Sequence, residues 1–127
     1  MLLYITVGSN DLDRACLFYD AALAPLGIVR RVTEKVEIGY AVPADDRCRF
    51  WVVTPFDEKA ATIGNGSMIA LEAQSRADVD AFYTAGMAHG GTDEGKPGLR
   101  PYHESFYAAY LRDPDGNKIS AVCEKPE

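Results

Sequence analysis

Along the last third of the chain, apolar and polar or small side chains alternate in two runs. Tyr107, Ala109 and Leu111, then Ile119, Ala121 and Cys123, occupy one parity, with Ala108, Tyr110, Lys118, Ser120 and Val122 on the other. Alternation with period two is the mark of a strand with two unlike faces. Between the runs lies Asp113-Pro114-Asp115-Gly116-Asn117, with Asp, Pro and Gly where a type I turn takes them. A hairpin over 106–123 follows. Near the start the period changes: Leu12, Ala15, Cys16, Tyr19, Ala22, Leu23 and Leu26 recur every three or four residues, which predicts an amphipathic helix. Asp11 is placed to cap it, and Pro25 and Gly27 end it. Strands are expected at about 3–9, 28–34, 36–42 and 47–54.

The same order then restarts. A polar connector at 55–66 leads to a strand at 67–73. Ser75, with Asp78 three residues on, opens a second helix whose buried face is Val79, Phe82, Tyr83, Gly86 and Met87, stopped by Gly90-Gly91. A short strand near Thr92 is expected next. Residues 95–105, GKPGLRPYHES, show no periodicity and read as a long loop of the kind that carries function.

The second half also echoes the first in sequence. At a shift of 64, Ile5, Phe18, Tyr19, Ala21, Ala24 and Gly27 meet Ile69, Phe82, Tyr83, Ala85, Ala88 and Gly91. At a shift of 70, Tyr40, Asp45 and Val52 meet Tyr110, Asp115 and Val122. The chain is therefore two copies of one strand-helix-strand-strand-strand unit. Repeat one is 1–54, the connector 55–66 and repeat two 67–124, all within one domain of 127 residues. That length buries enough surface for a real core without staples.

Charge narrows the partners. With 13 Lys and Arg against 19 Asp and Glu, a net charge of −6 and no basic cluster beyond Arg30-Arg31, nucleic acid is not an expected partner. Three cysteines, Cys16, Cys48 and Cys123, form no pairing pattern and are expected reduced in the cytoplasm. The first residues lack a basic leader, and the most apolar window, 15–29, is broken by Asp20 and Pro25, so neither export nor a membrane span is expected.

The doubled unit, Asp11-Leu12-Asp13 opening the first helix, Phe18-Tyr19 inside it and Asp113 to Asn117 near the end resemble the vicinal oxygen chelate superfamily, which includes glyoxalase I, bleomycin-resistance proteins, fosfomycin-resistance enzymes and extradiol dioxygenases. Ser75 to Tyr83 and Gly98 to His103 are similar to its small single-domain bacterial members. The resemblance implies an α+β fold in which two tandem βαβββ units form curled half-barrel sheets around a central cavity. It also implies a homodimer that pairs half-barrels across two chains. In the enzymatic members a divalent metal is held by His, Glu or Gln from the first and last strand of each unit. The two register shifts carry those positions onto Tyr4, Phe50, Met68 and Ser120. None supplies an imidazole or carboxylate of the kind such metals bind at about 2.0 to 2.2 Å. No metal or other cofactor is expected.

What remains has the composition either of a small-molecule pocket or of side chains that simply fill the barrel as core: Tyr4, Phe50, Met68 and Ser120, with Tyr107, Tyr110 and Trp51 crowding the last strands and favouring a cavity. Arg100 can grip a carboxylate or phosphate with two hydrogen bonds, or pair with Glu94 or Glu104. His103, in the long loop, can act as an acid or base, as a hydrogen-bond donor to a ligand, or as plain surface. His89, at the end of the second helix, is accounted for by the last carbonyls of that helix. The leading expectation is a glyoxalase-like binder of a small molecule. One alternative is a metal-dependent lyase of the lactoylglutathione type, or a dioxygenase, with atypical ligands such as His103 with Glu72 or Glu104; another is a structural or partner-binding module in which the cavity is vestigial.

Overall fold

The computed structural model describes residues 1–127. The order is β1 (Ile5–Gly8), α1 (Leu12–Leu23), β2 (Val29–Thr33), β3 (Glu37–Ala41), β4 (Phe50–Val53), β5 (Ile69–Glu72), α2 (Arg76–Ala88), β6 (Thr92–Leu99), β7 (Tyr107–Arg112) and β8 (Lys118–Cys123). Two curled four-stranded sheets result, ordered β1-β4-β3-β2 and β5-β8-β7-β6. In each, the first strand runs parallel to the last, and the other pairs are antiparallel. The fold is the expected doubled α+β unit.

Local chemistry starts both helices alike. The side chain of Asp11 accepts from the Arg14 amide and that of Ser75 from the Asp78 amide, each satisfying a donor the helix leaves free. After Leu23 the chain tightens into a 3-10 turn, and Gly27 ends it at φ 73°, a conformation costly for any residue with a Cβ. One face of each helix then meets one face of its sheet. Phe18, Tyr19 and Leu23 of α1, and Val79 and Phe82 of α2, are fully buried, together with Tyr40, Phe50, Val52, Leu111 and Ile119 from the strands. Burying such a side chain is worth roughly 1.5–3 kcal/mol each, so this shared layer dominates stability.

The two repeats meet through their helices and through the final hairpin turn. Gly86 of α2 packs so closely that a Cβ there would lie 2.3 Å from Leu111 Cδ1 and 3.2 Å from Phe18 Cε1. Gly116 sits at φ 92° in the turn. Asp113 Oδ1 accepts from the amides of Asp115 and Asn117, both at 2.9 Å, which folds the turn onto itself. The same turn grips the start of repeat one. Asn117 Nδ2 donates to the Gly8 carbonyl at 2.9 Å, and Asp115 Oδ1 accepts from the Asn10 amide and from Arg14, each at 2.9 Å.

Two sequence expectations change here. The strand near Thr92 is not short: β6 takes in residues up to Leu99, so the expected loop over 95–105 shrinks to the turns that follow it. Its glycines and Pro97 hid it. β6 is an edge strand whose register slips between Asp93 and Gly95 and again between Gly95 and Gly98, and an edge is where a residue without an N–H can sit.

Candidate functional site

Strand alternation sends one set of side chains to the helices and leaves the other on the open face of each sheet. In repeat one the open face carries Tyr4, Thr6, Val32, Glu37, Arg49, Trp51 and Val53, which line a groove of about 770 Å³. In repeat two Met68, Ala70, Gly95, Arg100, Tyr102, Phe106, Tyr110, Lys118 and Val122 line one of about 610 Å³. Both volumes are in the range of small-molecule sites.

The expected site residues divide between the two faces. Tyr4 stands on the open face of repeat one, and Met68 and Arg100 on that of repeat two. Ser120 shares the parity of Lys118 and Val122 on β8, lies opposite Tyr110, and is fully buried, with its hydroxyl unpartnered. Phe50 is a correction: it is 4% exposed and packs on the ring of Tyr19, centroids 5.1 Å apart, inside the core. Tyr107 is a second. It faces α2, where its phenol donates to Asp80 Oδ1 at 2.6 Å, a bond that raises its pKa, and Arg76 stacks on its ring. His103 is a third. Its ring is bonded at both nitrogens, to Glu124 Oε2 at 2.7 Å and to the Ser105 amide at 3.1 Å, and it lines neither groove. His89 bonds the Ala85 carbonyl at 2.8 Å, as its place at a helix end suggested.

The misplacement of Phe50 has a simple origin. Ile5 pairs with Phe50 and Ile69 with Ile119, so Phe50 and Ile119 are equivalent; across the hairpins Phe50 then pairs with Tyr40, ten residues away, and Ile119 with Leu111, eight away. The β3–β4 connection is thus two residues longer than the β7–β8 connection, and no single shift aligns both strands. Phe50 corresponds to Ile119, and Ser120 corresponds to Trp51. Trp51 is the site residue that the ungapped register missed. Its indole crosses the sheet over Gly39, where a Cβ would come within 2.8 Å of the ring, and its Nε1 donates to the Cys48 carbonyl at 3.2 Å.

With the register corrected, the positions that would hold the metal of enzymatic relatives are Tyr4, Trp51, Met68 and Ser120. Nowhere do three or more His, Cys, Asp or Glu side chains come together in a metal-binding group, and this holds for His103, Glu72 and Glu104 too. A phenol, an indole, a thioether and a hydroxyl do not fit a divalent ion of that class.

The second groove is instead aromatic and cationic. Arg100 Cζ lies 5.3 Å from the centroid of Tyr110, and Lys118 Nζ lies 5.6 Å from the same centroid. Arg100 does not pair with Glu94 or Glu104. Its guanidinium donates to the carbonyls of Lys96, at 2.5 Å, and Leu99, at 3.3 Å, while Glu94 is taken by Arg112 at 2.6 Å.

Comparison with known proteins agrees with this architecture. The family model of the Glyoxalase/Bleomycin resistance protein/Dioxygenase superfamily matches residues 2–121. A glyoxalase/bleomycin resistance protein from Albidiferax ferrireducens T118 is 46% identical, with 97% of each chain covered and a TM-score of 0.85. At the level of fold alone, a glyoxalase-related enzyme from Fulvimarina pelagi is 18% identical, with 97% of this chain and 87% of that one covered and a TM-score of 0.76. A lactoylglutathione lyase from Agrobacterium tumefaciens is 19% identical, with 97% and 92% covered and a TM-score of 0.65. Comparison with curated protein sequences finds no match. The chain belongs to the Glyoxalase/Bleomycin resistance protein/Dioxygenase superfamily.

Proposed function

We propose that this protein binds a small molecule on the open faces of its curled sheets, using side chains where enzymatic relatives use a metal. The observation that carries the proposal is the substitution at the four metal positions: Tyr4, Trp51, Met68 and Ser120 offer aromatic and apolar contact and hydroxyls but no ligand set. Two grooves of ligand size with aromatic floors support it. A homodimer belongs to the same proposal. Leu2, Leu3 and Phe56 are exposed large apolar side chains, Phe56 completely so, and each open face lines a groove that contains no residue of the other. A second copy set face to face would enclose both. A reducing, cytoplasmic setting is supported by three buried free thiols. No helix is long and apolar enough to cross a membrane.

Elemental mass spectrometry of untagged protein, before and after incubation with Ni²⁺, Zn²⁺, Fe²⁺ and Mn²⁺, tests the metal-free reading. Near-zero occupancy with all four metals is expected. Close to one equivalent of a single metal would overturn it.

A further inference from the structure

We infer that the groove of repeat two takes a small organic anion, a carboxylate or phosphate on a flat apolar body, laid against Tyr110 between Arg100 and Lys118. This deepens the small-molecule proposal and rests on it.

Three observations carry the inference. First, the guanidinium of Arg100 is held but not neutralised. Its acceptors are main-chain carbonyls of Lys96 and Leu99, and it forms no ion pair. The bare backbone of β6 makes room for it, since a Cβ would lie 3.2 Å from its Nη2 at Gly95 and 3.1 Å from its Nη1 at Gly98. A fixed fork of donors loses little freedom when it meets an oxyanion. Second, Lys118 is also without a carboxylate partner, and the one acidic residue lining the groove, Glu94, is already bonded to Arg112. Two uncompensated cations on one ring are notable in a chain of net charge −6. Third, the walls suit a flat body. Met68, Phe106, Val122 and the Tyr110 ring are apolar, and Ser120, opposite Tyr110 on the same face, keeps a buried hydroxyl without a partner.

The groove of repeat one makes the contrast. Arg31, Arg47 and Arg49 there are balanced by Glu37, Asp45 and Asp46, and Arg49 is paired with Asp45 at 2.5 Å. Charge therefore selects between two grooves of similar size.

The test is an amide-resonance titration of the full-length protein with 2-naphthoate, 2-naphthyl phosphate and the neutral 2-naphthamide. At least one of the two anions should shift Gly95, Tyr110 and Ser120, at about tenfold lower concentration than the amide. Arg100→Gln and Lys118→Gln should each weaken that anion about tenfold and weaken the amide much less. Gly98→Ala, which crowds the guanidinium without touching its charge, should weaken it as well. The anion that binds more tightly identifies the carboxylate or the phosphate source. If amide and anions bind alike, or if the three variants leave anion affinity unchanged, the anion inference is overturned while the small-molecule proposal stands. If none of the three compounds shifts a residue of either groove, both fall.

Discussion

The phenol of Tyr19 on α1 donates a 2.5 Å hydrogen bond to Oδ2 of Asp113, at the last hairpin turn and 94 residues further along the chain. Asn117 Nδ2 donates to the same oxygen at 2.9 Å. Tyr19 is fully buried and Asp113 is 3% exposed, so the bond lies in the interior where the repeats meet. Replacing Tyr19 by Phe removes one donor to a carboxylate and is expected to cost about 1.5–3 kcal/mol. Asp113→Ala is expected to cost more, because the Tyr19 hydroxyl and the amides of Asp115 and Asn117 then lose their acceptor together. Urea unfolding of the two variants measures both; equal stability of Tyr19→Phe and the parent protein would show that the bond contributes nothing.

Alkaline pH should weaken the same junction. Burial, and then the charge of Asp113, push the phenol of Tyr19 well above its ordinary value. Burial, and then the bond to Asp20, push Tyr40 up too. Folded, both phenols keep protons that the unfolded chain releases near pH 10, so their stabilisation is complete below about pH 10 and is lost as the pH rises beyond it. Burial raises the thiol of Cys16 as well, so urea midpoints should begin to fall as unfolded thiol ionises at about pH 9 and fall steeply above about pH 10, with a shallower fall above about pH 10 in Tyr19→Phe.

Helix propensity favours alanine over glycine by about 1 kcal/mol, so Gly86→Ala would stabilise an isolated α2. In the folded chain the added methyl meets Leu111 and Phe18, both fully buried. Overpacking of this kind costs about 1–3 kcal/mol, and the variant is expected to be less stable than the parent by thermal or urea unfolding.

Phe50→Ala and Met68→Ala separate core from groove. The first opens the layer between Tyr19 and Tyr40 and is expected to cost about 3–5 kcal/mol. The second trims a half-exposed side chain and should leave stability within about 0.5 kcal/mol while reducing affinity for the tighter-binding of the two naphthyl anions. Denaturation and binding measured on both variants check the assignment of faces; the reverse pattern would invert it.

Much of this was readable in the residues. Asp11 and Ser75 mark helix starts, Asp113 to Asn117 marks a hairpin, and Phe18-Tyr19 against Phe82-Tyr83 marks a repeated unit, because caps, turns and helical spacing are local rules. Which way a strand faces is local only while the register is known. The two-residue difference between the inner hairpins put Phe50 in place of Trp51, since one slip in a strand exchanges its faces. Tyr107 and His103 were hidden for another reason. Their partners, Asp80 and Glu124, lie 27 and 21 residues away, and only packing brings them together. β6 was masked by its own Gly and Pro content at a sheet edge.

The turn from Asp113 to Asn117 closes its own hairpin and at the same time clasps Gly8, Asn10 and Tyr19 of the other repeat. Those bonds, and the seat of Phe18 against Gly86, do not depend on the continuity of the polypeptide. A chain cut within the exposed stretch from Phe56 to Lys59 would therefore yield two pieces carrying matched halves of one recognition surface, and the inheritance of a duplicated unit would show itself as self-assembly of its parts.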